Sequence, residues 1–134
     1  MKTIKIPREI VNQILQHAQS EPEKEICGLI SEKNGEAGHC YPVLNIAEHP
    51  ESLFLMDGKE QIDALREMRN KQESLFAIYH SHPHSEAYPS QIDLNESQYP
   101  DVIYLIVSLD TKGVLDLRAY RIDNKQIETL EVTI

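Results

Sequence analysis

The sequence predicts an α/β fold, a layered sandwich in which a mixed β-sheet is flanked by helices. Three observations carry that expectation. Amphipathic helical segments alternate with strand-length apolar runs along the chain. One of those runs, residues 102–109 (VIYLIVSL), is apolar almost throughout, as expected of a central strand covered on both faces. Asn34-Gly35 stands between two strand-like runs and is a strong signal for an antiparallel hairpin.

The elements follow in order. Residues 2–6 (KTIKI) alternate and predict a short edge strand. Residues 7–20 place Ile10, Ile14 and Leu15 at helical spacing behind Pro7, a favourable first-turn residue. The segment 21–25 (EPEKE) ends that helix. Residues 26–33 and 37–46 then form the hairpin around Asn34-Gly35. An expected two-residue turn sets Cys27 opposite Pro42 and Cys40 opposite Leu29, leaving the cysteines diagonal and too far apart for an easy disulfide. Residues 52–56 (SLFLM) make a third short run. Residues 57–70 predict an amphipathic helix with Ile62, Leu65 and Met68 on its inner side. Residues 74–82 (SLFAIYHSH) form a strand that runs into a histidine-rich segment. Residues 89–98 predict a short helix, with Ser90 as N-cap and Asp93 three residues on. After the 102–109 strand, a turn over 110–113 (DTKG) leads to strands over 114–123 and 126–134.

A chain of 134 residues predicts one domain spanning 1–134, large enough to bury about two-thirds of its unfolded surface without disulfides or structural metal. The net charge of −9 and the lack of any basic stripe argue against a nucleic-acid partner. No stretch approaches the ~20 apolar residues of a membrane span, and residues 1–10 lack a signal-peptide core, so a cytoplasmic location without membrane association is expected. There Cys27 and Cys40 are expected as thiols.

Residues 79–93 (YHSHPHSEAYPSQID) hold three histidines within five positions. On a strand, His80 and His82 point to the same face, about 6–7 Å apart, close enough to share one metal ion. Pro83 ends the strand, and the loop 83–89 can return the chain so that Asp93 supplies a carboxylate oxygen. Two imidazoles and one carboxylate leave a fourth tetrahedral position for water, the pattern of a catalytic zinc. Each piece also has a plainer reading. Ser90 and Asp93 form a capping pair by themselves, His-x-His occurs in polar surface loops, and His84 competes with His82 as a ligand. A catalytic zinc also needs a base. Glu25 is the candidate because it abuts a strand that should be buried, where burial raises a carboxyl pKa. Its plainer reading is one more charged residue of the 21–25 loop.

Glu25 in EICG, His80-x-His82-Pro83, seven intervening residues and Ser90-x-x-Asp93 together resemble the JAMM (MPN+) metalloprotease family, with no departure at the key positions. The resemblance covers roughly Glu25 to Tyr120. It implies a cytidine deaminase-like MPN/JAMM domain with Zn2+ on His80, His82 and Asp93. Glu25 would deprotonate the zinc water and pass the proton to the leaving amine, while Ser90 would hydrogen-bond the oxyanion. His84 becomes a bystander. The family resemblance also implies a substrate class: an amide or isopeptide bond after the C-terminal Gly-Gly of a small β-grasp, ubiquitin-like sulfur carrier of the ThiS/MoaD type. The tail would pair by β-augmentation with an exposed segment near 52–56. The resemblance leaves room for a homodimer.

Rival readings are a non-catalytic MPN-type scaffold, against which the intact motif speaks, and a zinc deaminase. The latter needs a Pro-Cys-x-x-Cys ligand pair, and Cys27 and Cys40 lie thirteen apart, neither after a proline. Cys27 reads as a small buried hydrophobe, or alternatively as a redox switch or auxiliary ligand. His17, His39 and His49 show no ligand spacing and are expected to be solvated.

Overall fold

Pro7 fixes the entry to the first helix, the two hairpin turns set antiparallel pairs, and a buried parallel pair forms the middle of the sheet. The computed structural model describes residues 2–110 and 116–134. Its elements are β1 (Thr3–Lys5), α1 (Arg8–Ser20), β2 (Cys27–Lys33), β3 (Glu36–Val43), α2 (Gly58–Asn70), β4 (Ser74–His82), α3 (Gln91–Glu96), β5 (Ile103–Ser108), β6 (Asp116–Asp123) and β7 (Gln126–Thr133). The strands form one mixed sheet in the order β1-β7-β6-β5-β4-β2-β3. The β4–β5 and β1–β7 pairs are parallel and the others antiparallel. Most of the turn expected over 110–113, and the first two residues of the strand after it, lie outside the described residues.

The two faces of the sheet have separate cores. Helix α1 packs Ile10, Val11, Ile14 and Ala18 against Ile30, Ala77, Tyr79 and Leu105. The other face packs Ala64 and Met68 of α2 against Leu29, Ile78, Ile106 and Tyr120. Strand β5 is buried at all six positions because it feeds both cores. Strand β4 likewise divides its residues, sending Ala77 and Tyr79 toward α1 and Ile78 toward α2. By the same alternation, His80 and His82 belong to the α2 face.

Four expectations change. The buried face of α2 is Ala64 and Met68, whereas Ile62 and Leu65 are 57% and 40% exposed. The helix seats its small Ala64 close to the sheet, and its apolar stripe is wider than the surface it covers. The segment 52–56 is not a strand; it meets the chain after β3 through a single bridge, Asn45 to Met56. The Asn34-Gly35 turn has the two positive φ values of a primed hairpin turn. Yet the register slips between Ile30 and Glu32, so Cys27 faces Val43 and Cys40 faces Ile30. The cause is a bulge, where Ser31 Oγ accepts the His39 N–H at 3.0 Å. One residue of slip sends the thiols to opposite faces of the sheet, both free. Finally, His17 is half-buried, with Nδ1 2.8 Å from the Tyr79 hydroxyl, and burial lowers its pKa. His39 and His49 remain exposed.

Candidate metal centre

Strand alternation delivers His80 and His82 side by side, and the parallel β4–β5 pair buries the strand that carries them. Pro83 follows at once, and the chain crosses to α3 through residues 83–90. This crossing is held at three successive carbonyls. Ser108 Oγ donates to Ser85 O at 2.6 Å, His82 Nδ1 donates to Glu86 O at 2.7 Å, and the Tyr120 hydroxyl donates to Ala87 O. Helix α3 then starts in a capping box. Asp93 N–H donates to Ser90 Oγ at 3.1 Å, and Ser90 N–H donates to Asp93 Oδ2 at 2.9 Å. The cap therefore also aims the Asp93 carboxylate.

The result is a compact triangle of His80 Nε2, His82 Nε2 and Asp93 Oδ2. Its edges are 3.2 Å between the imidazoles, 3.2 Å from His80 to Asp93 and 3.1 Å from His82 to Asp93. Since Glu86 O can only accept, the Nδ1 of His82 carries a proton, and in the neutral imidazole its Nε2 presents a lone pair into the triangle. Tetrahedral zinc with bonds of about 2.0–2.1 Å separates neighbouring ligand atoms by about 3.3 Å. The triangle has nearly that size. A carboxylate of Glu25 lies within 4.8 Å of the other donor atoms, and the four residues form the one potential metal-holding group among the described residues. The donor set of two nitrogens and a carboxylate oxygen suits zinc.

The electrostatics agree with that geometry. Glu25 is 4% exposed, and its Oε1 is buried without a hydrogen-bond partner. Burial pushes its carboxyl up to about 8, with His82 opposing the rise and Asp93 adding to it. For Asp93, burial acts upward but is outweighed. Charge on His80, hydrogen bonds from both imidazoles and the Ser90 N–H hold it well below the usual carboxylate range. Burial acts to lower His82, but its bonds to Asp93 and Glu86 raise it overall. Two carboxyl groups in one site are thus driven apart, one toward carrying a proton and one toward permanent charge.

All five residues singled out in the sequence meet here: Glu25, His80, His82, Ser90 and Asp93. His84 does not; it is exposed, with Nε2 2.9 Å from Glu23 Oε2. Cys27 pairs across the sheet with His80, but it is fully buried, and burial first, then Glu25 and Glu60, push its thiol up to about 12. That is the environment of a packed thiol, held away from the reactive thiolate form in the metal-free protein.

Sequence reading did not find Tyr120, Ser108, Asn45 or Phe54. For Tyr120 a signal existed, because a tyrosine on a core strand needs a partner for its hydroxyl. Tyr120→Phe should cost about 1–3 kcal/mol in chemical denaturation, because the Ala87 carbonyl stays buried and loses its donor. A cost under about 0.5 kcal/mol would show that the crossing does not depend on that bond.

Comparison with known proteins adds to this geometry. A family model described as prokaryotic homologs of the JAB domain matches residues 7–123. The CysO-cysteine peptidase of Mycobacterium tuberculosis is 34% identical over 119 residues, which covers 87% of this chain and 81% of that protein. The desampylase of Haloferax volcanii is 31% identical over 107 residues, 74% of this chain and 76% of that one. A solution structure of a protein from Desulfitobacterium hafniense matches with a TM-score of 0.83 and 28% identity, covering 99% of this chain and 92% of its own.

Proposed function

The chain belongs to the prokaryotic JAB-domain family and is a JAMM-type hydrolase, and from that premise we propose that it hydrolyses the amide or isopeptide bond after the C-terminal Gly-Gly of a small ubiquitin-like sulfur-carrier protein, using zinc. The observation that carries the proposal is the triangle of His80 Nε2, His82 Nε2 and Asp93 Oδ2 with the buried Glu25 beside it. The substrate class rests on the peptidase and desampylase relatives.

His80, His82 and Asp93 hold the ion. Zinc bound there supplies Lewis acidity toward the scissile carbonyl and brings the pKa of a water to about 7. Glu25 takes the proton of the attacking water and delivers it to the leaving amine. Burial lifts its carboxyl to about 8 in the metal-free protein, and a divalent cation beside it draws that value back toward neutrality, where a carboxylate can take a proton and return it. Ser90 Oγ already accepts the Asp93 N–H, so its own hydrogen is free to donate to the oxyanion.

A tail can reach these groups along a groove of about 240 Å³ lined by Phe54, Met56, Ile92, Tyr99 and Tyr104, with His80 and Asp93 at its inner end. The antiparallel bridge there is made by Ile46 N–H to Leu55 O and Asp57 N–H to Leu44 O, and the Leu55 N–H is taken by Asn45 Oδ1 on the same side. By strand alternation the peptide groups of Phe54 and Met56 face the edge opposite that contact. Among the described residues neither N–H is engaged. An extended tail can add there as a strand, with main-chain bonds giving affinity.

The test is a zinc-loaded reaction on a β-grasp carrier extended beyond its Gly-Gly by one amino acid, followed by intact mass. Wild type should yield the carrier ending in Gly-Gly, whereas Asp93→Ala should lose both the cleavage and about one zinc per chain. A zinc-loaded wild type that leaves such substrates intact would sink the hydrolase reading of substrate and favour a binding subunit. Undiminished zinc content in Asp93→Ala would mean that the ligand set is wrong.

A further inference from the structure

The two imidazoles of the metal centre are oriented by different means. His82 donates from Nδ1 to a carbonyl, the usual way of fixing a ligating histidine. His80 has no such bond; its Nδ1 is buried and meets no partner. What lies against it is Phe54, with ring centroids 4.6 Å apart and planes inclined by 30°.

Phe54 sits on the connection between β3 and α2, where one amide sets the local geometry. Asn45 Nδ2 donates to Glu25 O at 2.8 Å and to Leu53 O at 3.1 Å. Its Oδ1 accepts from Ala47 N–H at 3.0 Å and from Leu55 N–H at 2.9 Å. Both donors and both lone pairs are used. The same connection returns to Glu25 from the other side, where Glu25 N–H donates to Pro50 O at 2.7 Å. The peptide of Glu25 is thus gripped at both ends by the segment that lays Phe54 on His80. A simple turn-forming asparagine explains the bond to Ala47, two residues on. It does not explain a donor spent on the carbonyl of Glu25, twenty positions away in the chain.

We infer that Asn45 is a positioning residue serving both halves of the site, holding Glu25 through its carbonyl and His80 through Phe54. The inference rests on the metal-hydrolase reading above, but part of its test is independent of any substrate. Zinc affinity is measured by chelator competition, and the visible spectrum of the cobalt-substituted protein reports ligand geometry. Asn45→Ala and Phe54→Leu should each weaken zinc binding about tenfold or more and alter the cobalt spectrum. Phe54→Tyr keeps the ring and should retain the wild-type values. Asn45→Asp keeps the acceptors for Ala47 and Leu55 but loses both donors, so the connection stays folded and the same weakening should appear. In turnover, Asn45→Asp should lower kcat about tenfold or more with KM within about threefold, because the groove is intact while Glu25 is loosened.

Wild-type zinc affinity and cobalt spectrum in both Asn45→Asp and Phe54→Leu would overturn the inference. So would a loss that appears equally in Phe54→Tyr. If no carrier is cleaved even by wild type, the metal readouts still decide the role of Asn45, and only the hydrolase reading falls.

Discussion

Glu25→Gln should keep about one zinc per chain, lose hydrolysis by roughly 10²–10⁴-fold, and make the metal-stripped protein more stable at pH 8. The third effect follows from linkage. In the folded protein burial lifts the Glu25 carboxyl from 4.5 to about 8. Between those values the folded state holds a proton that the unfolded state has released, so stability falls as pH rises through that window. At pH 8 the deficit is of order 2–4 kcal/mol, and below about 4.5 it vanishes because both states are protonated. Glutamine has nearly the same shape and no proton to lose. The variant should therefore match wild type near pH 4.5 and exceed it at pH 8, in chemical denaturation of chelator-treated protein. His82 and Asp93 are coupled to Glu25, so the difference between the two proteins reads Glu25 together with that coupling. Equal stability at both pH values would show that Glu25 is not held protonated, and full hydrolysis in Glu25→Gln would remove it as the base. A gain in stability together with a loss of turnover would mark Glu25 as kept for chemistry at the expense of the fold.

The parts of this site that were legible in the sequence are those whose geometry is local. His80 and His82 share a face because strand side chains alternate, and Ser90 with Asp93 is a capping pattern four residues long. Glu25 is different. Its place beside a strand expected to be buried made it a candidate base, but nothing local separated that from a plain loop carboxylate, and the family resemblance decided between them. Asn45 and Phe54 were invisible for the same reason, since each acts through a partner at least eight positions away. The order of elements was readable from periodicity. The register of β2 on β3 was not, because β3 carries one extra residue opposite Ser31, at Gly38-His39, which shifts every pair beyond it; Gly38 inside the strand was the signal for that bulge. Helix α2 misled because periodicity gives the direction of an apolar stripe but not how much of it the sheet covers. The turn at Asn124-Lys125 carries two positive φ values without a glycine, so the hairpin of β6 and β7 lacked its usual signal.

Gly28→Ala should be the most damaging single methyl in the sheet. Gly28 pairs with Tyr79 across β2 and β4, and the tyrosine ring lies flat over it. A Cβ at Gly28 would meet Tyr79 Cε2 at 2.4 Å and both Cζ and the hydroxyl oxygen at 2.5 Å, so something must move. The ring has nowhere to go. Tyr79 is fully buried in the α1 core, and its hydroxyl sits between His17 Nδ1 at 2.8 Å and Cys40 Sγ at 3.5 Å. Overpacking and the loss of that hydrogen bond together should cost about 3 kcal/mol or more. Tyr79→Phe gives no relief, since the offending ring carbons remain. Tyr79→Leu should, so Gly28→Ala and Tyr79→Leu should destabilise together by clearly less than the sum of the two single changes. A cost below about 1 kcal/mol for Gly28→Ala would mean that the ring can swing aside, and strict additivity would mean the same. The damage should also reach the metal centre. Tyr79 immediately precedes His80, while Gly28 follows Cys27, the cross-strand partner of His80. Any separation of β2 from β4 at this point pulls the imidazole out of a triangle whose edges are 3.1–3.2 Å. Zinc affinity measured on the folded fraction of Gly28→Ala should therefore fall with its stability, and Tyr79→Leu should restore part of both.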